Sequence, residues 1–217
     1  RILAALRTYA QGYGEKGSLK WTPVQKVVDG LDTAFYASFA AIEPTNLRQL
    51  IAVDVSGSMA SGSVAGLESV TPCEAAACVA LVQLATEPHA DIIAFDDVSK
   101  PLNITPKMRL DHATKVVQAA INGGTNCSAP INHALVNRMD VDVFVLLTDE
   151  QTWMNQHPIE MLHKYRAARM PAAKLAVCCF VASGGTVADP KDGGCISTVG
   201  LSPDAMQVVA AFGKGEI

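Results

Sequence analysis

The sequence predicts an α/β fold, a mostly parallel central sheet with helices on both faces, preceded by an N-terminal helical segment. Three observations carry this. Four short runs, "QLIAVD" (49–54), "DIIAF" (91–95), "DVFVLLTD" (142–149) and "AKLAVCCFVAS" (173–183), are almost continuously apolar, as strands buried on both faces are. Helical patterns alternate with them, the rhythm of parallel sheets joined by crossovers. Hydrophobic residues make up 49% of the chain and charged residues 18%, below the usual quarter, so a large core is affordable in surface terms.

The elements follow in order. Residues 1–9 read as a helix stopped near Gly12 and Gly14. Residues 23–42 read as a second helix, with Pro23 suited to its first turn and Val24, Val27, Val28, Leu31, Phe35 and Ile42 at helical spacing. Val24, Val28, Leu31 and Phe35 are expected to pack it down. "EPTN" (43–46) breaks it. Strand 49–54 is followed by an Ala-rich helix over 71–86, strand 91–95, helices over 109–121 and 130–138, and strand 142–149. A helix over 158–168, strand 173–183 and a last helix over 202–212 complete the chain. Residues 1–45 thus form a helical segment and 46–217 the α/β domain.

Net charge is −4, from 17 basic and 21 acidic residues, which argues against a broad basic nucleic-acid footprint. No apolar run reaches membrane-spanning length, and no signal-peptide pattern opens the chain. The chain begins with Arg1 inside a helical pattern, which reads as a piece of a longer protein. The six cysteines include no C-x-x-C pair. They read as reduced, mostly buried thiols of a cytoplasmic protein, with Cys178 and Cys179 on opposite faces of one strand.

Three polar clusters fall at element ends: Asp54-Val55-Ser56-Gly57-Ser58, Gly123-Gly124-Thr125 and Thr148-Asp149-Glu150. In open α/β sheets ligands bind beyond the carboxyl ends of the strands, where strand order reverses, so the three clusters can converge there. Asp54, Ser56, Ser58, Thr125 and Asp149 offer only oxygen. That donor set suits a hard divalent cation that keeps some water, Mg²⁺ (or Mn²⁺) better than Ca²⁺ because carboxylates are few. Taken singly, Asp-x-Ser-x-Ser also fits a plain capping turn, and Gly-Gly-Thr a plain loop. Other chemistry lacks its motif. There is no phosphate-binding Gly-rich loop with Lys, no G-x-S-x-G elbow and no H-E-x-x-H. A serine nucleophile at Ser56 or Ser58 with His133 or His157 has no base and orienter at readable spacing. "HKYRAAR" (163–169) reads as a solvated helix face before it reads as a phosphate contact.

The combination of "DVSGS" (54–58), "GGT" (123–125) and "TD" (148–149) resembles the von Willebrand factor A domain, a Rossmann-like fold, and its metal-ion-dependent adhesion site. The resemblance covers about residues 48–217 and fills all of that site's positions. It implies that Asp54, Ser56, Ser58 and Thr125 hold the metal and that Asp149 ligates directly or through water. Residues 19–59, "GGTNCSAPI", "VFVLLTDEQTW", "HPIEMLHKYR" and "VADPKDGG" resemble more narrowly the Ro family of RNA-binding ring proteins. This implies a preceding helical-repeat ring that binds Y RNA outside and misfolded RNA through its hole. It also implies a non-enzymatic role for the A domain, while the net charge of −4 leads to the expectation that this chain alone binds RNA weakly. An acidic group of a partner, a carboxylate or an RNA phosphate, would complete the metal's coordination. The alternative is a cytosolic metal-dependent protein–protein interaction module.

Overall fold

A computed structural model of the chain describes residues 2–14, 16–149, 157–182 and 187–217. Two helices lead, α1 (Ile2–Gln11) and α2 (Gln25–Ala37), the second continued by a 3₁₀ turn over Ser38–Ala41. Then come β1 (Gln49–Asp54), α3 (Pro72–Thr86), β2 (Ala90–Phe95), β3 (Ser99–Pro101), α4 (Leu110–Ala120) and α5 (Ala129–Val136). They are followed by β4 (Val143–Thr148), α6 (Pro158–Ala168), β5 (Lys174–Cys179), β6 (Cys195–Val199) and α7 (Pro203–Lys214). The six strands form one sheet in the order β3-β2-β1-β4-β5-β6. All neighbours are parallel except β2 and β3.

The sheet divides two apolar layers, and the period-two alternation of each strand decides which residue enters which layer. Ile51, Val53, Val145, Leu147, Ala176 and Cys178 face one layer, built with α3, α4, α7 and the N-terminal helices. Leu50, Ala52, Phe144, Leu146, Leu175 and Val177 face the other, under α5 and α6. The two adjacent cysteines of β5 are both buried, and burial pushes the Cys178 thiol up to about 11. Every residue of β1 and β4 is buried, which explains why these two strands read as unbroken apolar runs.

The helix starts follow local chemistry. Thr71 caps α3, its hydroxyl accepting from the Glu74 amide at 3.2 Å, and Pro72 takes the first turn. The α3 sequence is apolar nearly all round because the helix lies between the sheet and α4. His157 caps α6 through a ring nitrogen that accepts from the Ile159 amide.

The second predicted helix differs in how it is held. Val24 is its N-cap and Pro23 lies outside it. Of the expected packing residues only Phe35 is buried; Val28 and Leu31 are half-covered, and Val24, Val27 and Ile42 are exposed. Polar contacts do part of the anchoring. Asp32 pairs with Arg109 at 2.6 Å, and Tyr36 Oη accepts from the Leu110 amide at 2.6 Å. Leu3 of α1 and Phe35 share the layer of α3 and α4.

Two strands escape the sequence pattern. β3 is a three-residue edge that ends in Pro101. β6 is a half-exposed edge, so it lacks an apolar run. β6 is held by the turn before it: Arg166 donates to Asp192 at 2.5 Å and to the Ala173 carbonyl at 2.8 Å. Burial alone would raise the Asp192 carboxyl, but the Arg166 guanidinium and the Gly194 amide outweigh it and hold the group at about 2. Arg169 likewise bonds the Arg138 carbonyl and Asp140. The basic run on α6 is therefore only partly a solvated face, with two of its cations spent on the fold.

Candidate metal centre

The strand order reverses between β2 and β4, on either side of β1. The carboxyl ends of β1 and β4 flank that crevice, and Asp54 is the last residue of β1. Its side chain is fully buried. One carboxylate oxygen accepts from the Ser56 amide at 2.8 Å, the other from the Thr148 hydroxyl at 2.5 Å. The second bond crosses from β4, whose register sets Val53 beside Leu147 and so brings Thr148 level with Asp54.

After Asp54 the chain does not stay extended. Residues Gly57–Ala60 form a 3₁₀ turn, anchored by the fully buried Met59. The turn folds Ser58 back, so that the Ser56 and Ser58 hydroxyls lie 3.1 Å apart. Ser56 is buried and Ser58 half-exposed. The Asp54 side chain takes up the Ser56 amide just before this turn, which itself has no side-chain cap.

Thr125 is buried on the loop before α5. Backbone bonds lash that loop to the strand ends: Asn122 donates to the Val55 carbonyl at 2.8 Å, Asn126 to the Asp96 carbonyl at 2.8 Å, and the Gly57 amide to the Gly123 carbonyl at 3.4 Å. Gly123 has φ +71, and a Cβ there would lie 2.9 Å from Asp97 and 3.1 Å from Asp96. Asp96 is buried and paired with Lys100, so it has no room to withdraw. Gly123→Ala is therefore expected to cost about 1–2 kcal/mol from the left-handed backbone alone, visible as a melting temperature lower by roughly 2–8 °C. An unchanged melting temperature would show that the loop relaxes freely.

Asp149 is buried directly after β4, and its charge reaches Asp54. Burial pushes the Asp54 carboxyl up to about 6, against the pull of the Thr148 and Ser56 hydrogen bonds, and the Asp149 charge adds to the rise. Among the described residues no Lys, Arg or His forms an ion pair with Asp54. No three His, Cys, Asp or Glu side chains gather as a metal cluster among them either, so the centre stands on two carboxylates and neighbouring hydroxyls. Oxygen donors only, with a carboxylate buried beside a second acid, are what a hard divalent cation would neutralise. The residues present fit such an ion.

All of the sequence-derived candidates thus belong to segments that meet at the carboxyl ends of the central strands: Asp54, Ser56 and Ser58 side by side, Asp149 within electrostatic reach, and Thr125 on the loop bound to Val55 and Gly57. Glu150, the end of the third cluster, lies outside the described residues. Thr148, quoted in that cluster without a role, is the group that orients Asp54. Asp96 and Asp97, which wall the glycine loop, were not singled out from the sequence. Their signal is an acidic pair directly after a strand neighbouring β1.

Comparison with known proteins shows the family. The family described as the Ro60 vWA domain matches residues 48–213. RNA-binding protein RO60 of Deinococcus radiodurans is 42% identical over 216 residues, covering 99% of this chain. RNA-binding protein RO60 of Caenorhabditis elegans is 36% identical over 218 residues, covering 100% of it. This chain spans 41% and 34% of the lengths of those relatives. The crystal structure of the Deinococcus radiodurans RO (RSR) protein superposes with a TM-score of 0.91 at 42% identity, over 100% of this chain and 44% of that one. The mostly parallel sheet, its strand order and these matches agree: the chain belongs to the Ro60 vWA domain family.

Proposed function

We propose that this chain is the non-catalytic, divalent-cation-binding domain of a Ro-type RNA-binding protein. The observation that carries the reading is the meeting of Asp54, held by Thr148 and Ser56, with the paired hydroxyls of Ser56 and Ser58 at the strand-order reversal. Asp54, Ser56, Ser58, Thr125 and Asp149 would hold Mg²⁺, or Mn²⁺ in its place. The bound cation supplies positive charge and an open coordination position. Two carboxylates against a divalent ion leave no surplus anion, so that position accepts one acidic group, here an RNA phosphate.

The relatives carry the name RNA-binding protein, which supports RNA as the partner of the whole protein; we narrow this to small non-coding Y RNA and misfolded RNA in the cytoplasm. Among the described residues no helix is long and apolar enough to cross a membrane. The chain's own share in RNA binding is small. Its net charge is −4, so counterion release from phosphates cannot supply bulk affinity.

A filter-binding titration with single-stranded RNA tests this. At physiological salt the 217-residue chain should bind weakly, and a chelator or Asp54→Ala should remove what binding there is. Tight binding that ignores the chelator would overturn the assignment of the metal edge to RNA. Chelator-sensitive capture of acidic proteins with no RNA binding would turn the site into a protein-docking one.

A further inference from the structure

Beside the candidate metal centre lies a cavity of about 360 Å³ between the β2–β3 hairpin and α5. It is lined among others by Asp97, Val98, Ser99, Asn132, His133 and Val136, and its size is that of a small-molecule site. Asp97 ties it to the centre, since its carboxylate lies against Gly123 and Gly124, the two residues before Thr125.

The lining chemistry is specific. Among the described residues its lining contains no Lys or Arg, which does not suit a phosphate. Asn132 and His133 have no side-chain hydrogen bond among the described residues, while the neighbouring Asn126 and Asn137 amides are spent on Asp97 and on the His133 carbonyl. Ser99 contributes only to the wall, because its hydroxyl oxygen is buried out of reach of a bound ligand. Val98 and Val136 are 60% and 71% exposed and supply apolar walls. Asn amides and a His ring are the groups that read base edges and stack on bases, and a carboxylate accepts from ribose hydroxyls.

We propose that this cavity is a ribonucleoside subsite. It seats the base against Val98 and Val136, with Asn132 and His133 as its polar partners and Asp97 on the ribose hydroxyls. The inference deepens the RNA reading of the adjoining metal edge: the nucleoside in the cavity carries the phosphate that the metal edge receives. A single strand is the form that can splay a base into such a site.

The test is an NMR titration of the ¹⁵N-labelled chain with the four ribonucleosides, their 5′-monophosphates and the 2′-deoxynucleosides, each with Mg²⁺ or with chelator. At least one ribonucleoside should shift the Asn132, His133 and Val136 resonances saturably with or without chelator, and its 2′-deoxy counterpart should bind several-fold more weakly. Val136→Trp fills the cavity from an exposed position and should weaken binding at least tenfold while circular dichroism stays unchanged. The monophosphate should gain affinity over the nucleoside only when Mg²⁺ is present. Nucleoside binding without that gain supports the subsite and overturns the metal reading. No saturable shift with any ribonucleoside, or saturation of the same resonances by an acidic peptide instead, overturns the subsite.

Discussion

Asp54→Ala should lose Mg²⁺ and Mn²⁺ binding in calorimetry while keeping its fold. Losing a group that merely supports a ligand typically costs 10–100-fold in metal affinity, so removing a central carboxylate should cost at least about 100-fold. The fold should survive for a physical reason. The substitution strips acceptors from the Ser56 amide and the Thr148 hydroxyl, a penalty of about 1–3 kcal/mol. It also removes a fully buried carboxyl that burial has already pushed up to about 6, so part of that penalty is offset. Thr148→Val isolates the positioning role. It should weaken the metal without abolishing it, since it frees one Asp54 oxygen but leaves every candidate ligand in place. Equal metal affinity in Asp54→Ala and the parent chain would remove Asp54 from the centre.

Phe144→Ala should damage the fold severely. Phe144 is fully buried in β4, level with Leu50 of β1 and Leu175 of β5. Its ring meets Tyr165 edge to face at 4.9 Å. Tyr165 in turn donates to the Met139 carbonyl and accepts from the Val141 amide, both at 2.7 Å. A Phe-to-Ala change in such a core costs about 3–5 kcal/mol, which for a chain of this size lowers the melting temperature by roughly 6–20 °C. Because β4 delivers Thr148 and Asp149 to the site, partial loosening of β4 should also weaken metal binding. Phe144→Leu, which keeps most of the volume, should cost under about 1.5 kcal/mol. If the two variants melted alike, neither the volume nor the ring contact of Phe144 would be holding β4.

How far the sequence foretold this can be argued residue by residue. β1 was legible to the residue, since both its faces are covered and the apolar run ends at the first group with a different task, Asp54. α3 and α6 were legible in extent, 71–86 and 158–168 against Pro72–Thr86 and Pro158–Ala168, while their caps, Thr71 and His157, came only with the structure. β6 was not, because an edge strand with one half-exposed face, "CISTV", carries no apolar run. α2 was legible as a helix and illegible in its packing. Its apolar residues follow helical spacing, yet the structure holds it through Phe35, Tyr36 and Asp32 and leaves Val24 and Val27 outside. At the candidate site, the meeting of the three segments was foreseeable and the orientation of their side chains was not. That Thr148 bonds Asp54 depends on the β1–β4 register, and that Ser58 meets Ser56 depends on a 3₁₀ turn where alternating spacing suggests extended chain. The role of Asp96 and Asp97 depends on the lashing of a loop almost thirty residues further on.

The central claim is that the oxygen groups at the ends of β1 and β4 hold a divalent cation. Diffraction from crystals of the chain soaked in Mn²⁺, recorded at the manganese edge, tests it most directly. The account predicts one strong anomalous peak among Asp54, Ser56, Ser58, Thr125 and Asp149, lost in Asp54→Ala crystals treated identically. No peak there at saturating Mn²⁺, or a peak that persists without Asp54, would contradict it.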